Sequence, residues 1–593
     1  MLAPVMPAPV TPKPPFVLLD DARPGGEMRL YRDAVEVVVA TDPGEVPAAF
    51  DRVRAAGARG LHAAGFLAYE AGRAFASLTD DPSVTGSIDA PLLWFGLFER
   101  WDVVDPAGFL PDPAGAWIGA PVPLIEQAVY EDRVRAVLAL IAAGDLYQAN
   151  LSFPATVAVA GDPLAIHARL RARARAGHGA VVATGDTTIV SLSPEMFFDL
   201  TGDRLTCRPM KGTAPRGGTA VVDGYFAAAL ATDAKQRAEN LMIVDLMRND
   251  LSRVAVPGSV AVPALFAVET YPTVHQLTST VTATLAPGRD AVDVLAAAFP
   301  CGSITGAPKR RAMQAIAAIE ARPRGIYTGS IGRIDASGDA AFNVAIRTLA
   351  IRGDTATLAL GAGIVADSDP AAEWAECLAK ARFVGDGEQG FALIETMTFD
   401  PEEGIVLLDR HVARMQESAG RLGFTFDRHG ARNELQAATF RLREARRVRL
   451  LLSASGSFAV ETSPLPAPFA GPAQVAIVPL PVPPGDIRLC HKTSARGFYE
   501  QARRTAATDE VVFEHDGLLT EGSFTSLFVA RDDGMLVTPP LQHGLLPGVL
   551  RGELIATGRA VEGPVRRGDL AGGFFIGNAV RGLCPATLVA LAK

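Results

Sequence analysis

Cysteine is scarce in this chain of 593 residues, and what there is does not pair. Cys207, Cys301, Cys377, Cys490 and Cys584 are odd in number and scattered. They suggest neither a disulfide framework nor a zinc site, and they fit a reducing cytoplasm. No run of roughly 18 apolar residues occurs, so no membrane span is predicted. Residues 1–16 are proline-rich with a single lysine. They lack the apolar centre of a signal peptide, and a frayed tail is expected. Positive charge is in deficit, with 56 basic against 65 acidic residues, a net charge of -9 and a pI of about 5.6. That argues against a broad nucleic-acid surface. Internal repeats are also missing, so unlike domains rather than a duplication are expected. What remains is ordinary for a globular enzyme, 49% apolar and 20% charged, and too long for one core.

The chain divides at Gly385-Asp386-Gly387-Glu388-Gln389-Gly390, three glycines and two acids without a large apolar residue. Residues 1–384 are expected to form the first domain, with 1–120 as its N-terminal region, 385–390 as the linker and 391–593 as a second domain. In the first domain an apolar stretch, Ala64-Gly65-Phe66-Leu67-Ala68-Tyr69-Glu70, lies among strands and helices. Val134, Val137, Leu138 and Ile141 recur at helical spacing after Tyr130, Gly144 is a candidate C-cap, and residues 148–159 read as extended. A helix is expected over residues 373–383, and its Glu373, Glu376 and Lys380 share one face. In the second domain Val412, Met415, Ala419 and Leu422 give an amphipathic helix, and Asp516-Gly517 and Asp533-Gly534 mark hairpin turns. Residues 487–490 read as a strand leading into Lys492.

Several segments carry chemistry in the first domain. They are Gly144-Asp145-Leu146-Tyr147-Gln148-Ala149-Asn150-Leu151, Ser193-Pro194-Glu195, and Cys207-Arg208-Pro209-Met210-Lys211-Gly212-Thr213. Ala238-Glu239-Asn240-Leu241 with Arg248-Asn249-Asp250, Pro300-Cys301-Gly302-Ser303 through Lys309, and Gly361-Ala362-Gly363-Ile364 complete the set. In this order they resemble the chorismate-utilising enzymes. The lysine at 211 resembles aminodeoxychorismate synthases, since anthranilate, isochorismate and salicylate synthases carry alanine there. The resemblance implies an α+β fold of β-sheets flanked by helices. It also implies Mg2+ held by Glu239 and Glu376 with Glu373 close by, and Lys380 adding charge at the same end. Hard carboxylates suit that ion. The other carboxylate of chorismate would meet Tyr327 and Arg347, with the backbone of Gly361, Ala362 and Gly363, while Gly212, Thr213 and His275 would lie near the ring. His275 on its own is as well read as a packing residue.

Two positions select the reaction. Isochorismate and salicylate synthases have a water-activating lysine where this chain has Gln148, which is no base. Lys211 can act as a nucleophile once burial or a nearby cation lowers its pKa. The resemblance implies two displacements. Lys211 adds to the ring as the hydroxyl leaves, with Glu195 as general acid; ammonia then adds and Lys211 departs, giving 4-amino-4-deoxychorismate. No Gly-x-Cys-x-Gly elbow occurs in the sequence, so ammonia is expected from a separate glutamine amidotransferase subunit. Cys301 reads as a small packed residue.

The second domain contains Ile394-Glu395-Thr396-Met397, His411-Val412-Ala413-Arg414, His491-Lys492-Thr493, Leu519-Thr520-Glu521-Gly522, Gly548-Val549-Leu550-Arg551 and Asn578-Ala579-Val580-Arg581. These resemble fold type IV pyridoxal phosphate enzymes, the group of branched-chain aminotransferases and aminodeoxychorismate lyases. The resemblance implies Lys492 as the Schiff-base lysine and Glu521 as partner of the pyridine nitrogen. Arg414, Val549, Leu550, Asn578 and Ala579 would surround the phosphate. Ser526, Leu550 and Ala579 stand where relatives have asparagine, threonine and a hydroxyl residue, and Arg581 is a candidate for the substrate carboxylate. The fusion itself points to a bifunctional enzyme of 4-aminobenzoate and folate synthesis, with a homodimer implied through the second domain. An aminotransferase, or a non-catalytic dimerisation module, is the alternative for that domain.

Overall fold

The computed structural model describes residues 11–75, 90–271, 274–385 and 390–590. Most of the expected 385–390 linker, and residues 1–10 of the expected tail at 1–16, lie outside the described residues, while Phe16 opens the first strand. Among those described, residues 16–364 supply a sheet of eleven strands and one of ten, and residues 393–588 supply sheets of four and eight.

The two large sheets pack face to face with helices on their outer sides. Alternation along the strands sets this arrangement. In Phe16–Asp20, Val17 joins a cluster with Phe66, Trp94, Val182 and Ile331, which come from both sheets, while Phe16 and Leu18 turn outward. Leu93–Phe98 is buried at every position. Trp94 and Phe98 face the other sheet, whereas Leu93, Phe95 and Leu97 face the helices Val46–Ala58 and Ala291–Ala298. Strands covered on both faces read as continuous apolar runs.

The expected elements largely appear. The helix near Tyr130 spans Gln127–Ala142, with Gly144 at φ 81° after it. The extended segment is the strand Gln148–Ala160, and the carboxylate-bearing helix is Pro370–Lys380. Helix Leu408–Arg421 buries Val412, Met415 and Ala419. Asp516 and Gly517 both adopt positive φ between antiparallel strands, as a two-residue type I′ turn requires. Residues 487–490 differ. They form a four-residue helix, because the Asp486 carboxylate accepts from the Arg488 amide at 2.8 Å and caps a turn there.

Trp117 of the first half packs into the core of the second. Trp117, on the strand Trp117–Ile118, is 3% exposed and packs with Leu393, Met415, Leu422 and Ile487. Beside it Arg488 donates to Asp112 at 2.8 Å and to Asp486 at 2.6 Å. Trp117→Ala is expected to cost about 3–5 kcal/mol. The check is a fall in the denaturation midpoint of the second half, with Trp117→Phe losing far less.

Candidate functional site

A β-bulge aims Lys211. Strand Met210–Pro215 pairs with Val274–Thr284 at Met210–Thr278 and again at Thr213–Gln276, with the register broken between. Gly212 absorbs the break at φ 95°. A bulge re-aims the side chain it carries, and Lys211 leaves its own sheet to meet the other. Its Nζ lies 3.0 Å from where a Cβ on Gly363 would stand, and Gln148 Nε2 lies 3.2 Å from the same point. Two residues earlier on that strand, a Cβ on Gly361 would stand 2.6 Å from the Tyr327 hydroxyl, and Lys380 Nζ donates to the Gly361 carbonyl at 3.0 Å. A Cβ on Gly361 would also stand 2.7 Å from the Leu151 carbonyl, so that position needs glycine, whereas at Gly363 the ends of Lys211 and Gln148 would have to give only slightly. Both side-chain polar atoms of Gln148 are buried without a hydrogen-bond partner among the described residues.

Burial shifts Lys211 toward the free amine. Burial, and then the positive charge of Lys380, hold its pKa below the ordinary lysine range against the pull of Glu239, Glu195 and Glu376. Glu195 is 4% exposed and accepts from Ser303 Oγ at 2.6 Å. Burial raises its carboxyl to about 7, so a large fraction keeps its proton at neutral pH. Asn240, buried on the helix Ala234–Ser252, donates to the Lys211 and Leu277 carbonyls at 3.4 and 3.2 Å and fixes the bulge to that helix.

The three expected metal-binding acids lie on two helices, Glu239 on Ala234–Ser252 and Glu373 with Glu376 on Pro370–Lys380, within electrostatic reach of one another. Burial raises Glu239 and Glu373, and each feels the charge of Glu376. Glu373 accepts from Ser368 at 2.6 Å, and Glu376 pairs with Lys380 at 2.8 Å. Among the described residues no three acid, cysteine or histidine side chains are gathered closely enough to hold an ion. The donor type nonetheless fits Mg2+, which keeps several waters and needs only one or two carboxylates from the protein. Glu376 and Lys380 keep 56% and 44% of their side-chain surface open, so this end of the site admits solvent and ligand.

Arg347 adopts φ 50°, and burial lowers its pKa with Tyr271 the only group acting against it, so an anion would find it uncompensated. Thr213 donates to Gln276 at 3.2 Å. His275 is held at both ring nitrogens, by Asp223 at 2.9 Å and Thr270 at 3.0 Å, and so is fully engaged within the fold. The sequence reading passed over Arg324. This buried guanidinium reaches the Asn150 and Ile304 carbonyls and the Thr328 hydroxyl at 2.5, 3.4 and 3.3 Å. It thereby ties together the segments that carry Gln148, Ser303 and Tyr327. Glu320 holds the guanidinium at 2.7 Å, and Glu70, at the end of the apolar stretch noted above, holds the Arg324 amide at 2.6 Å.

The second half encloses a cavity of about 450 Å³ lined by Lys492, Glu521, Arg414, Asn578 and Ala579, among others. Burial first, then Arg414, Arg496 and Arg449, lower the Lys492 amine to about 7. Glu521 is buried and raised to about 7, while the Tyr499 hydroxyl at 2.5 Å and the Leu546 amide at 3.0 Å oppose that rise. Arg414 is fixed by Glu395 through two bonds of 2.8 and 2.6 Å and donates to the Pro547 carbonyl at 3.0 Å. Helix Val549–Ala556 begins at Gly548 with no side-chain cap, so amides at its start are free for an anion. A Cβ on Gly548 would come 2.5 Å from Ser526 Oγ, so a larger residue there would displace that hydroxyl. Asn578 Oδ1 accepts from the Val580 and Arg581 amides at 2.9 Å each and orders the facing turn. A lysine, an acid and a phosphate cradle in one cavity fit pyridoxal phosphate, with Leu550 and Ala579 supplying backbone but no hydroxyl. Arg581 donates to the Ala467 carbonyl at 2.7 Å and stacks on Phe469.

Two face-packed sheets flanked by helices, followed by this lysine-centred cavity, define a chorismate-utilising enzyme joined to a class IV aminotransferase domain. Residues 15–386 match the family model of chorismate binding enzymes, and residues 392–589 match that of class IV amino-transferases. The chain belongs to the chorismate binding enzyme family. Over 251 residues it is 46% identical to aminodeoxychorismate synthase component 1 of Salmonella typhimurium, covering 42% of this chain and 55% of that one. Over 259 residues it is 43% identical to an anthranilate synthase component 1 of Halobacterium salinarum, covering 43% and 49%. The chain thus spans about half the length of the curated relatives it matches. A solved structure of a 2,3-dihydroxybenzoate-specific isochorismate synthase of Bacillus anthracis, itself a putative assignment, covers 62% of this chain and 94% of its own. Its identity is 22% and its TM-score 0.51, a likeness of fold.

Proposed function

We propose that the chain makes 4-aminobenzoate in two steps, amination of chorismate in its first half and loss of pyruvate in its second. The observation that carries the first step is the Lys211 amine, depressed in pKa and set against Gly363 beside an orphaned Gln148. Relatives of both aminating kinds match this chain, so overall similarity does not choose between them, and Lys211 is what supports the aminodeoxychorismate reading.

Lys211 attacks the chorismate ring, the double bonds shift, and the ring hydroxyl departs as water with the proton of Glu195. Ammonia then adds at the carbon that lost the hydroxyl. The carbon–nitrogen bond to Lys211 breaks, and the amine returns to its free state. Arg347 and Tyr327 receive one substrate carboxylate, at the Gly361 end of the strand. Glu239 and Glu376, with Glu373 behind them, would hold Mg2+, which supplies a positive charge for the other carboxylate. Gln148 cannot take a proton from water, which keeps hydrolytic attack slow. Ammonia comes from a separate glutamine amidotransferase component, as the name component 1 suggests for the relatives.

Pyridoxal phosphate, when bound in the second cavity, supplies an electron sink for an amine substrate. Lys492, half-deprotonated at neutral pH, anchors it and afterwards moves the ring proton of 4-amino-4-deoxychorismate. Glu521 keeps the pyridine nitrogen protonated, Tyr499 orients Glu521, and Arg414 with the amides at Val549 and Leu550 holds the phosphate. The enolpyruvyl arm leaves as pyruvate and the ring becomes aromatic. We place this pair of reactions in the cytoplasm, in folate synthesis, with the second half as the dimer contact. With 4-amino-4-deoxychorismate as sole substrate, the purified chain is expected to release pyruvate and 4-aminobenzoate in equal amounts. A requirement for a keto-acid acceptor would instead assign the second half to transamination.

A further inference from the structure

The second cavity carries more positive charge than one phosphate uses. Six arginines and Lys492 line it, against Glu500 and Glu521. Arg414 is engaged by Glu395 from outside the lining. Arg447 and Arg449 stand two apart on the strand Arg446–Leu452, so both point to the same face, while Val448, Leu450 and Leu452 fill the core behind. Arg447 is held by Ser463 at 3.0 Å, and Arg449 has only a loose contact with Glu461 at 3.6 Å.

Arg496 is held without a carboxylate partner among the described residues. Its Nη2 donates to the Ser523 carbonyl at 3.0 Å, and its guanidinium lies 4.3 Å from the centre of the Tyr499 ring. Those two contacts fix its plane. Its Nη1 is nonetheless enclosed, with no hydrogen-bond partner among the described residues. A buried guanidinium nitrogen without an acceptor is a costly arrangement unless a ligand completes it. Arg496 stands four residues after Lys492, just before the helix Gly497–Ala506, and Arg496, Arg449 and Lys492 line the same cavity, so the missing acceptor belongs in the cavity that holds the reacting amine.

We propose that Arg496 and Arg449 each receive a carboxylate of the amine substrate, which makes the second cavity selective for dicarboxylates over monocarboxylates. The inference rests on the reading of this cavity as a pyridoxal phosphate site. A fixed guanidinium fork matches a carboxylate in geometry as well as charge. A monocarboxylate can use either arginine, whereas a dicarboxylate needs both, so removing one arginine should erase the preference.

The test uses the full chain reconstituted with pyridoxal phosphate and reads the visible absorbance of the lysine-bound cofactor, which reports on the second cavity alone. The probes are 3-(carboxymethoxy)benzoate, an unreactive aromatic dicarboxylate, and benzoate. The dicarboxylate is expected to bind at least tenfold more tightly. In Arg496→Gln and in Arg449→Gln its affinity should fall about 10–100-fold, with benzoate little changed. Arg496→Lys, which retains charge, should recover part of the preference. Equal binding of the two probes to the wild-type chain would overturn the inference. So would an Arg496→Gln variant whose cofactor band moves while the preference stays, which would assign Arg496 to the cofactor. Absence of any band in the wild-type chain would overturn the cofactor reading, and this inference with it.

Discussion

Lys211→Ala is expected to abolish conversion of chorismate to 4-amino-4-deoxychorismate, with a loss on the order of 10⁴–10⁶-fold in turnover and retained chorismate binding. Loss of a covalent nucleophile has effects of that size. If Arg347, Tyr327 and Lys380 hold the substrate as proposed, the loss should fall on kcat. The pH profile gives an independent check. Lys211 must be deprotonated to attack, and burial with Lys380 lowers its pKa, so activity rises as pH climbs through that lowered value. Glu195 must be protonated to donate, and its carboxyl sits near 7, so activity falls as pH climbs above neutrality. The expected profile is a bell whose alkaline limb vanishes in Glu195→Gln, at about 10²–10⁴-fold lower rate. An unchanged rate in Lys211→Ala would remove the covalent step and leave direct amination of the ring.

Lys492→Ala is expected to remove both the visible absorbance of bound pyridoxal phosphate and pyruvate release from 4-amino-4-deoxychorismate, while chorismate amination continues. The two halves hold separate lysines, so each variant should silence one reaction and spare the other. In Lys492→Ala the intermediate should accumulate. The amine near 7 makes Lys492 able to bond the cofactor at neutral pH, and attachment should weaken as pH falls below that value. Leu550 and Ala579 have no hydroxyl, so on the proposed reading Arg414 and the amides at the start of Val549–Ala556 would carry phosphate binding.

How much of this was legible in the sequence depended on how local each feature is. Lys13, Lys211, Lys235, Lys309, Lys380, Lys492 and Lys593 are the chain's lysines. Against that scarcity, an amine between Pro-Met and Gly-Thr, and another between His491 and Thr493, stood out. The direction of Lys211 was not legible, because a bulge is a property of two paired strands, and its partner lies more than sixty residues on. Arg324 was missed for the same reason. Its partner Glu70 is 254 residues away, and each looks like a surface charge when read alone. Trp117 is another such case, since its neighbours in the core come from beyond residue 390. Lys309 and Asp250 lie in quoted motifs yet pair with each other at 2.5 Å inside the fold, so a motif residue need not touch substrate. Residues 487–490 were misread because four apolar-polar positions cannot distinguish a short turn from a strand end; the Asp486 cap decided it. The carboxylate-bearing helix was legible because Glu373, Glu376 and Lys380 keep helical spacing.

The most direct measurement supplies the purified chain with chorismate, ammonium, Mg2+ and pyridoxal phosphate and follows the products. The account predicts 4-aminobenzoate and pyruvate from the single chain, with 4-amino-4-deoxychorismate as the species that Lys492→Ala leaves behind. Anthranilate as the product, or 4-aminobenzoate formed equally well by Lys211→Ala, would contradict it.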